Sequence, residues 1–250
     1  MKLVRADGHQ QQQWALTNVH TCKIAKILCE HFDDDNTLMK EIASILQKFT
    51  GQAYDDLDRK LANIRDLYML DDPEEISSLP VYISELLYAL HELYYQPRNG
   101  LYRRIEEQID SLRGAVVELI GLELIKSRYS HEDECANSRC FVNRQNMKIT
   151  LQEVDIAAIS FTRHQLEAYE CKMKAISLMN DDCIDLKYLY EAAEDEYYQA
   201  HVGIISLDPT KMIIRRLRYL CANSCIQAYG VDMLGELRNS PFKPGEGKGI

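Results

Sequence analysis

A chain of 250 residues with 46% hydrophobic and 27% charged side chains has the makeup of a globular protein with room for one large domain or two small ones, which excludes disorder over most of its length. The formal net charge of −10 excludes wholesale coating by nucleic acid but leaves room for a local basic groove, and acidic active sites add negative charge of their own. No apolar run approaches the ~20 residues of a membrane span, so no membrane partner is expected.

The chain starts MKLVRADGHQQQQW, without a basic start followed by an apolar leader. Its eight cysteines are scattered, so reduced thiols and a cytoplasmic location are expected. Cys135 and Cys140, with His131 nearby, have no second paired set to complete a zinc site. Residues 1–13 read as a flexible tail. From Trp14 the pattern is helical: Ile24, Ile27 and Leu28 share one face, as do Leu38, Ile42, Ile45 and Leu46. Asp33-Asp34-Asp35-Asn36 lies between these stretches as a natural N-cap. Further helices are predicted over Tyr54–Leu67, ended by Asp71-Asp72-Pro73, and over Val81–Tyr95, preceded by Pro80.

Gln96-Pro97-Arg98-Asn99-Gly100 is a break after which the pattern changes. A long helix is predicted from Leu101 to Arg128. A polar stretch, Ser130–Arg139, follows, and then strands at Cys140–Val142, Lys148–Ser160 and Gln165–Lys174. A helix over Asp185–Gln199, a buried strand over His201–Leu207, a helix over Lys211–Ala222 and a strand over Ile226–Met233 complete the order. The expected organisation is a helical module over 14–97, an α/β module over 98–238 with a mixed sheet flanked by helices, and a flexible tail over 239–250.

The chemistry concentrates in two strands joined by a turn at Phe161–His164. A turn centred near residues 162–163 makes paired positions sum to about 325, which sets Asp155 opposite Glu170. Glu170 and Lys172, two apart, point to one face. Two carboxylates held this close repel each other and are costly to desolvate, and a divalent cation removes that cost. Their hard oxygens suit Mg²⁺ or Mn²⁺, and the backbone carbonyl of Cys171 could add a ligand. Lys172 would orient or deprotonate a water, or neutralise charge on a phosphorane-like transition state. Glu118 lies on the apolar helical stripe of Ala115, Leu122 and Ile125, and a carboxylate embedded there needs a partner. A neighbouring metal site is one solution.

Asp155 followed by Glu170-Cys171-Lys172 on the next strand resembles the PD-(D/E)XK signature of the restriction-endonuclease-like nucleases. Gly114 and Glu118 resemble the Gly-x-x-x-Glu element that precedes the signature in many members, and the resemblance spans about residues 100–235. It implies a restriction-endonuclease-like α/β fold and a magnesium-dependent phosphodiesterase, with DNA the favoured substrate. Asp155 and Glu170 would be metal ligands, Lys172 the catalytic lysine, and Glu118 a further ligand, direct or through water. Val154 stands where the family's proline is usual. A homodimer would follow if both strands are cut.

Two basic groups are the candidates for phosphate contact: Arg103 and Arg104 at the start of the long helix, and Lys211, Arg215, Arg216 and Arg218 on a late one. The segment Leu57–Pro73 resembles a short helical element found beside nuclease domains in some prokaryotic restriction or phage-defence proteins. The alternative is a non-catalytic DNA-binding or helical interaction protein. Asp155 and Glu170 would then be a solvent-facing pair bridged by Lys172, worth ~0–1 kcal/mol, and Glu118 a surface residue at a helix kink near Gly121.

Overall fold

The computed structural model of the chain describes residues 2–5, 10–32, 36–49, 54–69, 79–95, 105–143, 150–221 and 225–242. Strand β1 (Lys2–Arg5) and helix α1 (Gln10–Thr17) lead into helices α2 (Val19–Glu30), α3 (Thr37–Lys48), α4 (Tyr54–Leu67), α5 (Val81–Tyr95) and α6 (Ile105–Lys126). Strands β2 (Glu134–Asn143), β3 (Thr150–Ser160) and β4 (Gln165–Lys172) follow. Helix α7 (Asn180–Asp195), strand β5 (Gln199–Ser206), helix α8 (Thr210–Leu220) and strand β6 (Gln227–Tyr229) complete the order, with short 3-10 turns at Ala175–Ser177 and Leu234–Arg238.

The helices form where apolar residues recur at helical spacing. On α4 the buried positions are Leu57, Leu61 and Ile64, and on α5 they are Ile83, Leu86, Ala89, Leu90, Leu93 and Tyr94. Both helices have the bounds that the sequence pattern gives. Asn18 caps α2, its side chain accepting from the His20 amide at 2.9 Å and the Thr21 amide at 3.4 Å. Asn36 stands at the N-cap of α3 in the left-handed region (φ 52°) and forms no side-chain cap hydrogen bond, so it departs from the expected capping role. Asp33, Asp34 and Asp35 lie outside the described residues.

Among the described residues the sheet has six strands in the order β1-β2-β3-β4-β5-β6. The first four are antiparallel, and β5 and β6 join in parallel through the α7 and α8 crossovers. This is the mixed α/β sheet flanked by helices that the sequence pattern predicts. The flexible tail expected over 1–13 is corrected: Lys2–Arg5 adds a strand to β2, and Gln10–Thr17 is helical. The Leu3 amide donates to Glu134 Oε2 at 2.9 Å. The polar stretch expected over Ser130–Arg139 is a strand from Glu134 onward, because backbone pairing with β3 outweighs its composition.

Side chains alternate across the sheet and build two cores. Ile156, Ala158, Tyr169 and Ile205 pack against the helices of the N-terminal half and α6 in one continuous cluster. Ala157, Ile159, Leu166, Ala168, Val202 and Ile204 pack against α7 and α8 through Leu186, Leu189, Ile213 and Leu217. Helix α6 sits directly on its face. A Cβ on Gly121 would fall 2.7 Å from Ile156 Cδ1 and 2.8 Å from Ile205 Cδ1, so a larger residue there would have to displace the ends of both side chains.

Candidate functional site

The pairing of β3 with β4 runs from Ser160↔Gln165 to Ile156↔Tyr169, each pair summing to 325 as the turn position predicts. Continuing that register sets Asp155 opposite Glu170. The Asp155 carboxylate reaches across to β4, where Oδ2 accepts from the Cys171 amide at 2.7 Å. Leu166, Ala168, Glu170 and Lys172 alternate onto the face covered by α7 and α8, while Glu167, Tyr169 and Cys171 face α6. Asp155 and Glu170 are near enough for the charge of Asp155 to act on the Glu170 carboxyl. Lys172 Nζ lies 3.1 Å from Glu170 Oε2. Because Lys172 pairs with Ser206 in the parallel register, the cluster stands at the carboxyl end of β4, beside the end of β5. In open α/β sheets this is where ligand crevices form.

Burial sets the electrostatics. Glu170 is 7% exposed, and desolvation followed by the charge of Asp155 holds its carboxyl well above the ordinary glutamate range. Burial raises the Asp155 carboxyl too, against the opposing pull of the Lys172 ammonium and the Cys171 amide. Burial pulls the Lys172 ammonium down, but Glu170 and Asp155 more than offset it, and the net shift is upward. A lysine so held is a fixed cation. That suits charge neutralisation and water orientation better than proton abstraction.

Sequence reasoning missed Asp182. It sits on the first turn of α7, with Oδ1 2.9 Å from Lys172 Nζ and Oδ2 accepting from the Met179 amide at 2.7 Å. The helix expected from Asp185 starts at Asn180, which brings Asp182 into an element that faces the site. The signal was available: Asp181 and Asp182 form an acidic first turn, which the partial positive charge of a helix start favours. Residues behind the site lock its floor. The Ala175 amide donates to Asp208 Oδ2 at 2.7 Å. Gln47, from α3, donates through Nε2 to Asp208 Oδ1 at 2.9 Å and to the Met173 carbonyl at 3.1 Å.

The other expected residues divide. Glu118 is 7% exposed, so the surface reading fails, but it belongs to the helix on the opposite face. There its Oε1 accepts from Gln12 Nε2 at 2.9 Å, and its charge is felt by the Cys171 thiol. Lys211, Arg215 and Arg218 recur at i, i+4 and i+7 and form an exposed stripe on α8. Arg216 lies off that stripe: its guanidinium donates to the Leu178 carbonyl at 3.1 and 2.8 Å and stacks over Tyr219. Arg103 and Arg104 lie outside the described residues. Among the described residues no group of three or more His, Cys, Asp or Glu side chains is arranged to hold a metal ion, so a cation here would rest on Asp155, Glu170 and backbone or water oxygens. Among the described residues no helix is long and apolar enough to cross a membrane.

No protein-family model matches the chain, and no curated protein matches it. Among solved structures it is similar to protein VC1899 from Vibrio cholerae, with 15% sequence identity and a TM-score of 0.40 over 95% of this chain. The chain spans 56% of the length of that structure. At that score the likeness carries no argument about fold family or function.

Proposed function

We propose that this protein is a divalent-cation-dependent nuclease of the PD-(D/E)XK type that hydrolyses DNA phosphodiesters, on a restriction-endonuclease-like variant of its mixed α/β sheet. The observation that carries the reading is the half-buried Asp155 set beside the buried Glu170, with Lys172 on the same face of the sheet. The order α6-β2-β3-β4-α7-β5 agrees with it. The donor set fits the cation: two carboxylates, both raised by burial, offer hard oxygens and a local negative charge that one ammonium shared with Asp182 does not balance.

Asp155 and Glu170 would hold Mg²⁺ or Mn²⁺, with the Cys171 carbonyl as a further donor. When bound, the cation supplies Lewis-acid polarisation of the phosphodiester and acidifies a water. Lys172 holds a positive charge at the carboxyl end of β4, where it orients the attacking water and offsets charge that develops on the phosphoryl oxygens. Asp155 is held in place by the Cys171 amide. The stripe of Lys211, Arg215 and Arg218 is the phosphate-tracking surface, and Lys211 stands at the end of the sheet that carries Lys172. Glu118, on the opposite face, takes a supporting role in this reading. A role in restriction or phage defence, a cytoplasmic setting and a homodimer that cuts both strands belong to the same proposal.

Incubating the protein with plasmid and linear DNA in Mg²⁺, Mn²⁺ or EDTA tests it. Cutting is expected with either cation and not with EDTA, and Lys172→Ala and Asp155→Ala should each lose it by ~10²–10³-fold or more. DNA binding without cutting would point to a non-catalytic DNA-binding protein. Neither binding nor cutting would point to a helical interaction protein.

A further inference from the structure

Lys172 has two carboxylate partners on two different elements. Glu170 belongs to the same strand, with Oε2 at 3.1 Å, and Asp182 belongs to the first turn of α7, with Oδ1 at 2.9 Å. If Glu170 turns its charge to a divalent cation, the lysine loses one of them. We infer that Asp182 is a positioning residue that keeps the Lys172 ammonium in place while Asp155 and Glu170 engage the cation. This inference rests on the nuclease reading of the site.

Asp182 is built to hold still. Its second oxygen, Oδ2, accepts from the Met179 amide at 2.7 Å, which ties the side chain to the start of its own helix. That start is anchored in turn. Arg216 grips the Leu178 carbonyl with two hydrogen bonds, and Leu178 is fully buried. The segment between Lys172 and α7 is pinned by Asp208 to the Ala175 amide and by Gln47 to the Met173 carbonyl. The carboxylate therefore meets Lys172 from a fixed point on a different element from Glu170. A lysine has four rotatable carbons. Without a fixed partner its ammonium would fall onto Asp155 and Glu170, into the place a cation needs. The two donors meet two different oxygens of the carboxylate, whereas asparagine puts an NH2 group in place of one of them and carries no charge to hold the ammonium.

The test compares wild type, Asp182→Asn, Asp182→Glu, Lys172→Ala, Asp182→Asn/Lys172→Ala and Asp155→Asn. Steady-state cleavage of a DNA oligonucleotide in Mn²⁺ is measured beside calorimetric titration of Mn²⁺ alone. Asp182→Asn should lower kcat by ~10–100-fold with KM within about threefold of wild type, the cost of a misplaced catalytic group. Its Mn²⁺ affinity should stay within about threefold of wild type, while Asp155→Asn loses at least about tenfold. Asp182→Glu, which retains both the charge and a helix-start acceptor, should recover kcat to within about fivefold of wild type. In the Lys172→Ala background, Asp182→Asn should change kcat by less than about twofold, because the two act as a unit. An unchanged kcat in Asp182→Asn, or a full further loss in the Lys172→Ala background, overturns the inference. A Mn²⁺ affinity that falls as far in Asp182→Asn as in Asp155→Asn makes Asp182 a ligand and overturns it too. A wild type that binds Mn²⁺ and cuts no DNA overturns the nuclease reading itself, and this inference with it.

Discussion

Glu167 and Glu170 stand three positions apart on β4, on opposite faces of the sheet, and the fold treats the two carboxylates in opposite ways. Glu167 is 1% exposed and fully engaged. Arg128 donates to both of its oxygens, at 2.8 and 2.7 Å, Tyr129 donates to Oε1 at 2.5 Å, and Tyr169 to Oε2 at 2.5 Å. Glu170, nearly as buried, has another acid beside it and one lysine that it shares with Asp182. A buried charge whose lone pairs are all taken is a structural element. A buried charge set against a like charge is an unfavourable arrangement that folding tolerates, and such arrangements gather at sites where a ligand completes them.

The contrast can be broken most sharply on the Glu167 side. Arg128→Ala strands a carboxylate in the interior and should cost about 3–5 kcal/mol of stability, read as a drop in the urea midpoint. A loss below about 1 kcal/mol would mean that water reaches Glu167 and that the two faces are alike. On the other side the sign reverses. Glu170→Gln removes a charge that burial and Asp155 both disfavour, and it should stabilise the cation-free protein at pH 7 by about 1 kcal/mol while it abolishes cleavage. A destabilised Glu170→Gln would make the Lys172 pairing structural. The pH dependence sharpens this further. The folded-state carboxyl of Glu170 is raised, so its contribution to stability is fully present below the unfolded value of about 4.3 and is lost as pH rises through the folded value. The wild type and Glu170→Gln should therefore unfold alike near pH 4 and separate toward pH 7, with the variant the more stable. A gap that stays constant across that range would contradict the assigned direction.

Much of the site could be read in the sequence because it depends on local periodicity. A two-residue repeat puts Glu170 and Lys172 on one face, and a turn at Phe161–His164 fixes the register that brings Asp155 to them. The helices at Tyr54–Leu67 and Val81–Tyr95 are legible for the same reason. What escaped depends on contacts between distant segments. The pairing of Lys2–Arg5 with Cys140–Asn143 joins the two halves of the chain, and four residues carry no pattern that announces it. The apolar stripe on α6 shows that Glu118 is buried, but not which face of the sheet the helix covers. Arg216 reads as one more positive charge on α8, and only the packing of α8 beside Leu178 reveals where its guanidinium goes. Asp182 was hidden by starting the helix at Asp185, although acids in a first turn also mark a helix start.

The most direct test is a titration of Mn²⁺ into the protein after EDTA treatment and dialysis, followed by calorimetry. One saturable site per chain is expected in the wild type, lost in Asp155→Asn and in Glu170→Gln. A wild type that binds no Mn²⁺, or binding that survives both substitutions, would contradict the assignment of the acid pair as the cation site.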